Sequence, residues 1–168
     1  MSDEGGFVAK EEDKSKAKET MVPDGEEQIT SDQGYDLDRD GDRLVPIIQS
    51  LKQLGCRVSL FMDPDPEAMA QAAEVGAERI ELYTEAYARA HERGDVVEVL
   101  ARDAEAAAAA QDAGLGVNAG HDLNLANLPA FTIPGLLEVS IGHAFTVDAL
   151  RYGLVDTVQR YQHALGKR

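Results

Sequence analysis

The chain has 168 residues, 43% of them hydrophobic and only 5% aromatic, enough for one ordinary domain with a real core and short for an eightfold α/β barrel, which takes about 250 residues. A formal net charge of −15 and a sequence pI near 4.5 argue against nucleic acid or an anionic membrane as a partner, because either would repel the protein. The one cysteine, Cys56, cannot close an internal disulfide, and no N-terminal stretch has the apolar core of a signal peptide or the length of a spanning helix, so the expected location is cytoplasmic.

Residues 1 to 40 carry thirteen acidic against five basic side chains and almost no apolar periodicity. Residues 1–20 are therefore expected to form an acidic, disordered leader ahead of one domain over residues 21–168. Lys10 to Glu19 could at most form a solvated helix, and only Met21 to Pro23 and Ile29 to Leu37 resemble segments that dock on a core.

A rhythm begins after Asp42. Leu44, Ile47, Ile48, Leu51 and Leu54 follow helical spacing, Gly55 is placed to end a helix, and Val58 to Met62 reads as a strand. Asp65 and Pro66 then open a helix that stops near Gly76, before a strand at Ile80 to Tyr83. The third unit is longer: Tyr87 to His91, a break at Gly94, Asp95 as cap, helix from Val96 to Ala113, and a strand at Leu115 to Asn118. The alanine run Ala106 to Ala110 sits inside that helix, where alanine loses little side-chain entropy. A fourth helix is expected from Leu123 or Asn124 through Phe131, followed by a strand at Leu137 to Ile141 and a last helix from Ala144 to Leu165.

Strands alternating with helices at this interval predict an α/β fold of parallel βα units with apolar, buried strands, either an open doubly wound sheet or part of a barrel. In both, ligands gather at the carboxyl ends of the strands. Asp63, Glu81 to Thr84, Asn118 to Asp122 and Gly142-His143 fall there.

Three of these positions have chemistry of their own. His121 follows the permissive Gly120, and an imidazole is the side-chain type suited to proton transfer in either direction; the plainer reading is a solvated loop histidine bonded to Asp122. Glu81, between Ile80 and Leu82, is costly to bury unless paired or facing a polar cavity, so it is either a site carboxylate or half of a structural ion pair. Arg79 is discounted as its partner on the premise that the two residues point to opposite faces. Gly142-His143 opens a helix and is either an anion-binding turn or a tight connection.

The segments VSLFMDPD (58–65), AAEVGAERIELYTEAYA (72–88), GLGVNAGHDLNLANL (114–128) and EVSIGHAFTVDALRYGL (138–154), in this order and spacing, resemble pyridoxine 5′-phosphate synthase, with a likeness that runs from about Met21 to the C-terminus. The resemblance implies that the domain over residues 21–168 is a partial βα-barrel, about strands four to eight of an eight-stranded TIM-type barrel. It also implies an activity, the condensation of 3-amino-2-oxopropyl phosphate with 1-deoxy-D-xylulose 5-phosphate. His121 matches the family's proton donor and Glu81 the glutamate that stabilises charged intermediates. Asp122, Gly142, His143 and Thr30 match substrate-contacting positions, Asp122 where glycine is frequent. Small phosphorylated substrates and a homo-oligomer are implied; no cofactor or metal is, and the spacing of histidines and carboxylates suggests none.

Departures are as informative. The Asn-x-Asp-His segment, the arginine-rich loop and the strand ending in Glu-Met that open the family pattern are absent, and the four histidines, His91, His121, His143 and His163, leave no counterpart for the histidine base. Glu85 stands where glycine is usual. The expectation is the C-terminal part of the enzyme, impaired as an isolated chain, with unpaired edges near Met21 or Val58 and at Val139 to Ile141. Two alternatives are a different phosphate-binding barrel enzyme, against which the NAGHDLN block counts, and a catalytically dead phosphate-ligand-binding or assembly protein derived from the family.

Overall fold

The computed structural model describes residues 17–25 and 31–166. Five strands, β1 (Lys18–Met21), β2 (Arg57–Met62), β3 (Arg79–Tyr83), β4 (Gly116–Gly120) and β5 (Leu136–Ser140), form one all-parallel sheet in chain order. Helices α1 (Leu37–Gln53), α2 (Met69–Glu74), α3 (Glu85–Arg93), α4 (Val97–Asp112), α5 (His143–Tyr152) and α6 (Leu154–Ala164) fill the connections and the C-terminal end. This is the α/β architecture of repeated βα units.

The sheet is strongly curled. Lys18 of β1 and Glu138 of β5 form an ion pair, although four strand spacings, about 19 Å in a flat sheet, separate their strands. Only a sheet bent like part of a barrel wall brings these side chains together across its concave side.

Alternation along each strand gives the two faces different chemistry. Val58, Leu60 and Met62, then Ile80 and Leu82, then Val117 and Ala119, point outward into the core, where Leu44 and Ile48 of α1, Met69 and Ala72 of α2 and the α4 alanines cover them. Ala106, Ala107 and Ala110 are buried, so the alanine run also lets α4 lie close to the sheet. The concave face carries Lys18, Arg57, Arg79, Glu81, Asn118 and Glu138 instead. The continuous apolar strands expected from sequence are thus wholly apolar on one face only, the concave face mixing Phe61 and Tyr83 with these polar groups.

Several boundaries differ from expectation. Lys18 to Thr20 already pair with Arg57 to Ser59, so the sheet begins before Met21, and the described end of the Lys10–Glu19 segment is strand. Helix α1 starts at Leu37, because Asp36 caps it by accepting from the Arg39 amide, and Tyr35 and Leu37 are buried as the docking of this segment requires. Gly34 lies so close to the Met62–Asp63 backbone that a Cβ there would be 2.1 Å from the Asp63 nitrogen. Asp95 does not cap α4; Val96 does, without a side-chain bond. The helix expected from Leu123 to Phe131 is instead turns and one 3-10 turn, Leu128–Ala130, since Asn124 and Asn127 spend their side chains on local backbone groups. The last helix is two, broken at Gly153, whose φ of 83° and ψ of 152° no residue with a Cβ adopts easily. Thr30 and the leader up to residue 16 lie outside the described residues.

Candidate active site

The carboxyl ends of β3, β4 and β5 open on one cleft of about 1240 Å³, whose wall includes Glu81, His121, Asp122, Gly142 and His143. Five of the six residues singled out from sequence therefore meet in one place. Among the described residues no cluster of three or more His, Cys, Asp or Glu side chains has the arrangement of a metal site.

Glu81 lies on the concave face, 6% exposed. Its Oε2 accepts from the Thr20 hydroxyl at 3.0 Å, and Ser140 of β5 stands beside the carboxylate, both crowding the place a Cβ on Gly120 would take. Burial pushes the Glu81 carboxyl above its ordinary value and the nearby Glu138 charge adds to that, while the hydroxyls of Thr20 and Ser140 act the other way. Arg79, two residues earlier on the same strand, shares this face, so the premise that discounted it was wrong. Its side chain nevertheless reaches Asn118 Oδ1 at 2.7 Å and Glu138 at 3.6 Å. Glu138 takes the cationic load: burial raises its carboxyl, but Lys18, Arg57 and Arg79 together outweigh that and hold it low.

His121 and Asp122 are the described non-glycine residues with positive φ, 93° and 57°. Such backbone persists only where its surroundings fix it. Thr84 Oγ1 donates to the carbonyls of both Gly120 and His121, Asn127 Nδ2 donates to the Asp122 carbonyl at 3.0 Å, and the buried Tyr87 hydroxyl donates to the Asn127 carbonyl at 2.7 Å. Asn127 of the GHDLNLAN loop, with Thr84 and Tyr87 from outside it, thus forms a brace that holds His121 at the wall of the cleft. Its ring stands edge-on to Tyr83 at 4.9 Å between centroids, with Phe61 behind at 6.4 Å. His121 Nε2 lies 4.0 Å from Asp122 Oδ2, too long for a hydrogen bond, so Asp122 does not hold the ring.

Gly120 admits Glu81 by having no side chain, and its φ is not positive. Gly142 precedes α5 with open space where a Cβ would be, so sterics alone do not require glycine there; Thr146 Oγ1 donates to its carbonyl at 3.0 Å. Glu85, the departure from the family pattern, accepts from the Tyr83 hydroxyl at 2.9 Å and pairs with Arg89, fixing the aromatic wall behind His121. Sequence reading missed Thr20 and Ser140. Each shares the inward alternation of its strand, but nothing local signals that both meet Glu81.

The family model described as "Pyridoxal phosphate biosynthesis protein PdxJ" matches residues 2–167. The chain belongs to the PdxJ family. Among curated relatives named pyridoxine 5′-phosphate synthase, that of Xanthomonas campestris pv. campestris (strain B100) is 56% identical over 144 residues, covering 84% of this chain and 56% of the relative. That of Xylella fastidiosa (strain 9a5c) is 55% identical over 144 residues, covering 84% of this chain and 55% of the relative. That of Albidiferax ferrireducens is 54% identical over 150 residues, covering 88% and 60%. The chain spans little more than half the length of the PdxJ relatives it matches.

Proposed function

We propose that this chain carries the proton-donor half of a pyridoxine 5′-phosphate synthase site, corresponding to about strands four to eight of a TIM-type barrel that begins at β1, three residues ahead of the expected boundary at Met21. The observation that carries the reading is the convergence of His121, Glu81 and Gly142-His143 on one cleft at the carboxyl ends of β3 to β5, in a PdxJ-family chain. The substrates are 3-amino-2-oxopropyl phosphate and 1-deoxy-D-xylulose 5-phosphate, the name of the reaction's product being that of the relatives.

In this reading His121 protonates a leaving oxygen, as a histidine near neutral pKa can, and Glu81 balances transient positive charge on the imine formed by the amino ketone. Gly142 and His143 hold a substrate phosphate at the start of α5, Asp122 touches substrate from the loop beside His121, and Thr30 contributes from outside the described residues. The reaction needs proton acceptors as well, and the family's histidine base has no match here. General acid and base groups each contribute roughly two to four orders of magnitude, so the isolated chain is expected to turn over little or no substrate. The residues ahead of β1 serve as an acidic leader, the protein acts in the cytoplasm, and open strand edges favour a homo-oligomer.

The test is a synthase assay on the purified chain, alone and mixed with the N-terminal part of the Xanthomonas relative. Product from the mixture and not from the chain alone is expected. Efficient turnover by the chain alone sinks the impairment, and pyridoxine 5′-phosphate bound without turnover in either sample points to a dead ligand-binding protein.

A further inference from the structure

The hydroxyl side chains beside Glu81 come from the two outermost strands of the sheet. Thr20 is on β1 and Ser140 on β5, while Glu81 is on the central β3. Thr20 and Glu81 are 61 residues apart, and their 3.0 Å bond exists because the sheet curls. Inward side chains of alternate strands share a layer in a barrel, and Thr20, Glu81 and Ser140 occupy one such layer from alternate strands. Gly120, on the intervening β4, clears it: a Cβ there would stand 2.3 Å from Glu81 Oε1 and 3.1 Å from the Ser140 Cβ.

We propose that Thr20 and Ser140 are positioning residues for Glu81, clamping its carboxylate from opposite ends of the sheet and keeping it charged and aimed into the cleft. A buried carboxylate without donors would take up a proton, and a protonated Glu81 could no longer balance positive charge on an intermediate. Each hydroxyl has one proton to donate, and donation favours the ionised form. The other charges around Glu81 do not replace this clamp. Glu138 of β5 disfavours ionisation. Arg79 of β3, Lys18 of β1 and Arg57 of β2 all engage Glu138. His121 and Asp122 of the β4 loop, His143 and Asp148 of α5, and Glu85 and Arg89 of α3 also face the cleft. The inference rests on the reading that Glu81 works as a carboxylate in that cleft.

The test is the pH titration of Glu81 in the whole chain, followed by carbon NMR of glutamate labelled at the side-chain carboxyl, with the Glu81 signal identified by its loss in Glu81→Gln. Thr20→Val keeps the shape of the side chain and removes the donor; it should raise the titration midpoint by about one pH unit, with a smaller rise for Ser140→Ala on the more exposed edge strand. Thr20→Ser restores the hydroxyl and should restore the midpoint. Purely structural roles would lower the melting temperature and leave the midpoint where it was. Unmoved midpoints in Thr20→Val and Ser140→Ala overturn the proposal, as does a Thr20→Ser midpoint equal to that of Thr20→Val. If Thr20→Val loses the native amide spectrum, Ser140→Ala and Thr20→Ser decide the matter. The titration needs no turnover, so it stands apart from the synthase reading. A Glu81→Gln chain as active as the unaltered one in the mixed assay overturns the role of Glu81 and leaves the clamp standing.

Discussion

A Cβ placed on Gly120 would lie 2.3 Å from Glu81 Oε1, closer than any real contact allows. Gly120→Ala must therefore push the carboxylate off the Thr20 hydroxyl or displace β4. Overpacking of this kind costs roughly 1–3 kcal/mol. Thermal unfolding of the variant should show that loss, with the Glu81 titration displaced upward; an unchanged melting curve would mean that the carboxylate has room to step aside.

The backbone of His121 makes a second prediction. Its φ of 93° is costly for any residue with a Cβ, by about 1 kcal/mol or more, and glycine removes the cost. His121→Gly should melt above His121→Ala although both lack the imidazole. Equal melting temperatures would show that the brace from Thr84 and Asn127 imposes no strain.

That brace can be loosened directly. Thr84, 1% exposed, loses its donor in Thr84→Val and leaves the carbonyls of Gly120 and His121 one bond poorer each. The expected loss is about 1–3 kcal/mol, with faster amide exchange through residues 120–127 in hydrogen-exchange measurements.

Acidity acts on this fold from two sides. Asp103, 1% exposed in α4, has an Oδ2 without a hydrogen-bond partner, and burial pushes its carboxyl up to about 7. The folded state then binds the proton more tightly than the unfolded chain. This contribution is fully present below about pH 4 and falls away as pH rises toward 7, by on the order of a few kcal/mol. Glu138 works in the opposite sense: its lowered carboxyl stabilises the fold above the ordinary glutamate range and loses that effect as pH falls through its folded value. Asp103→Asn should flatten the decline on the alkaline side and Glu138→Gln the one on the acid side, as read from denaturant midpoints across pH.

Much of the sheet was legible because one face of each strand is apolar. Val58 to Met62, Ile80 to Tyr83 and Leu137 to Ile141 each lie within one residue of the observed strand starts and ends. The fourth strand ends two residues later than expected because Gly120 looks like a loop residue and proves to be an inward-facing strand position. His121, Asp122, Gly142 and His143 were visible as chemistry at strand ends. Thr20 and Ser140 were not, since their meaning depends on curvature and on a glycine opposite. Arg79 and Glu81 stand two positions apart in β3, so strand alternation puts them on one face and not on opposite faces.

Spatial order of the strands equals their order in the chain, and every neighbouring pair is joined by fewer than about 40 residues. The sheet can thus be laid down strand upon strand during synthesis, each addition paying only a short loop closure. The Lys18–Glu138 contact differs in kind, spanning 120 residues. It cannot form until β5 has left the ribosome, so a nascent chain stalled before Leu136 would hold β1 to β4 with Lys18, Arg57 and Arg79 facing inward without their shared carboxylate. Neutralisation of those three cations by one carboxylate is consequently a late event in the life of this chain, whereas Thr20 can reach Glu81 as soon as β3 is in place.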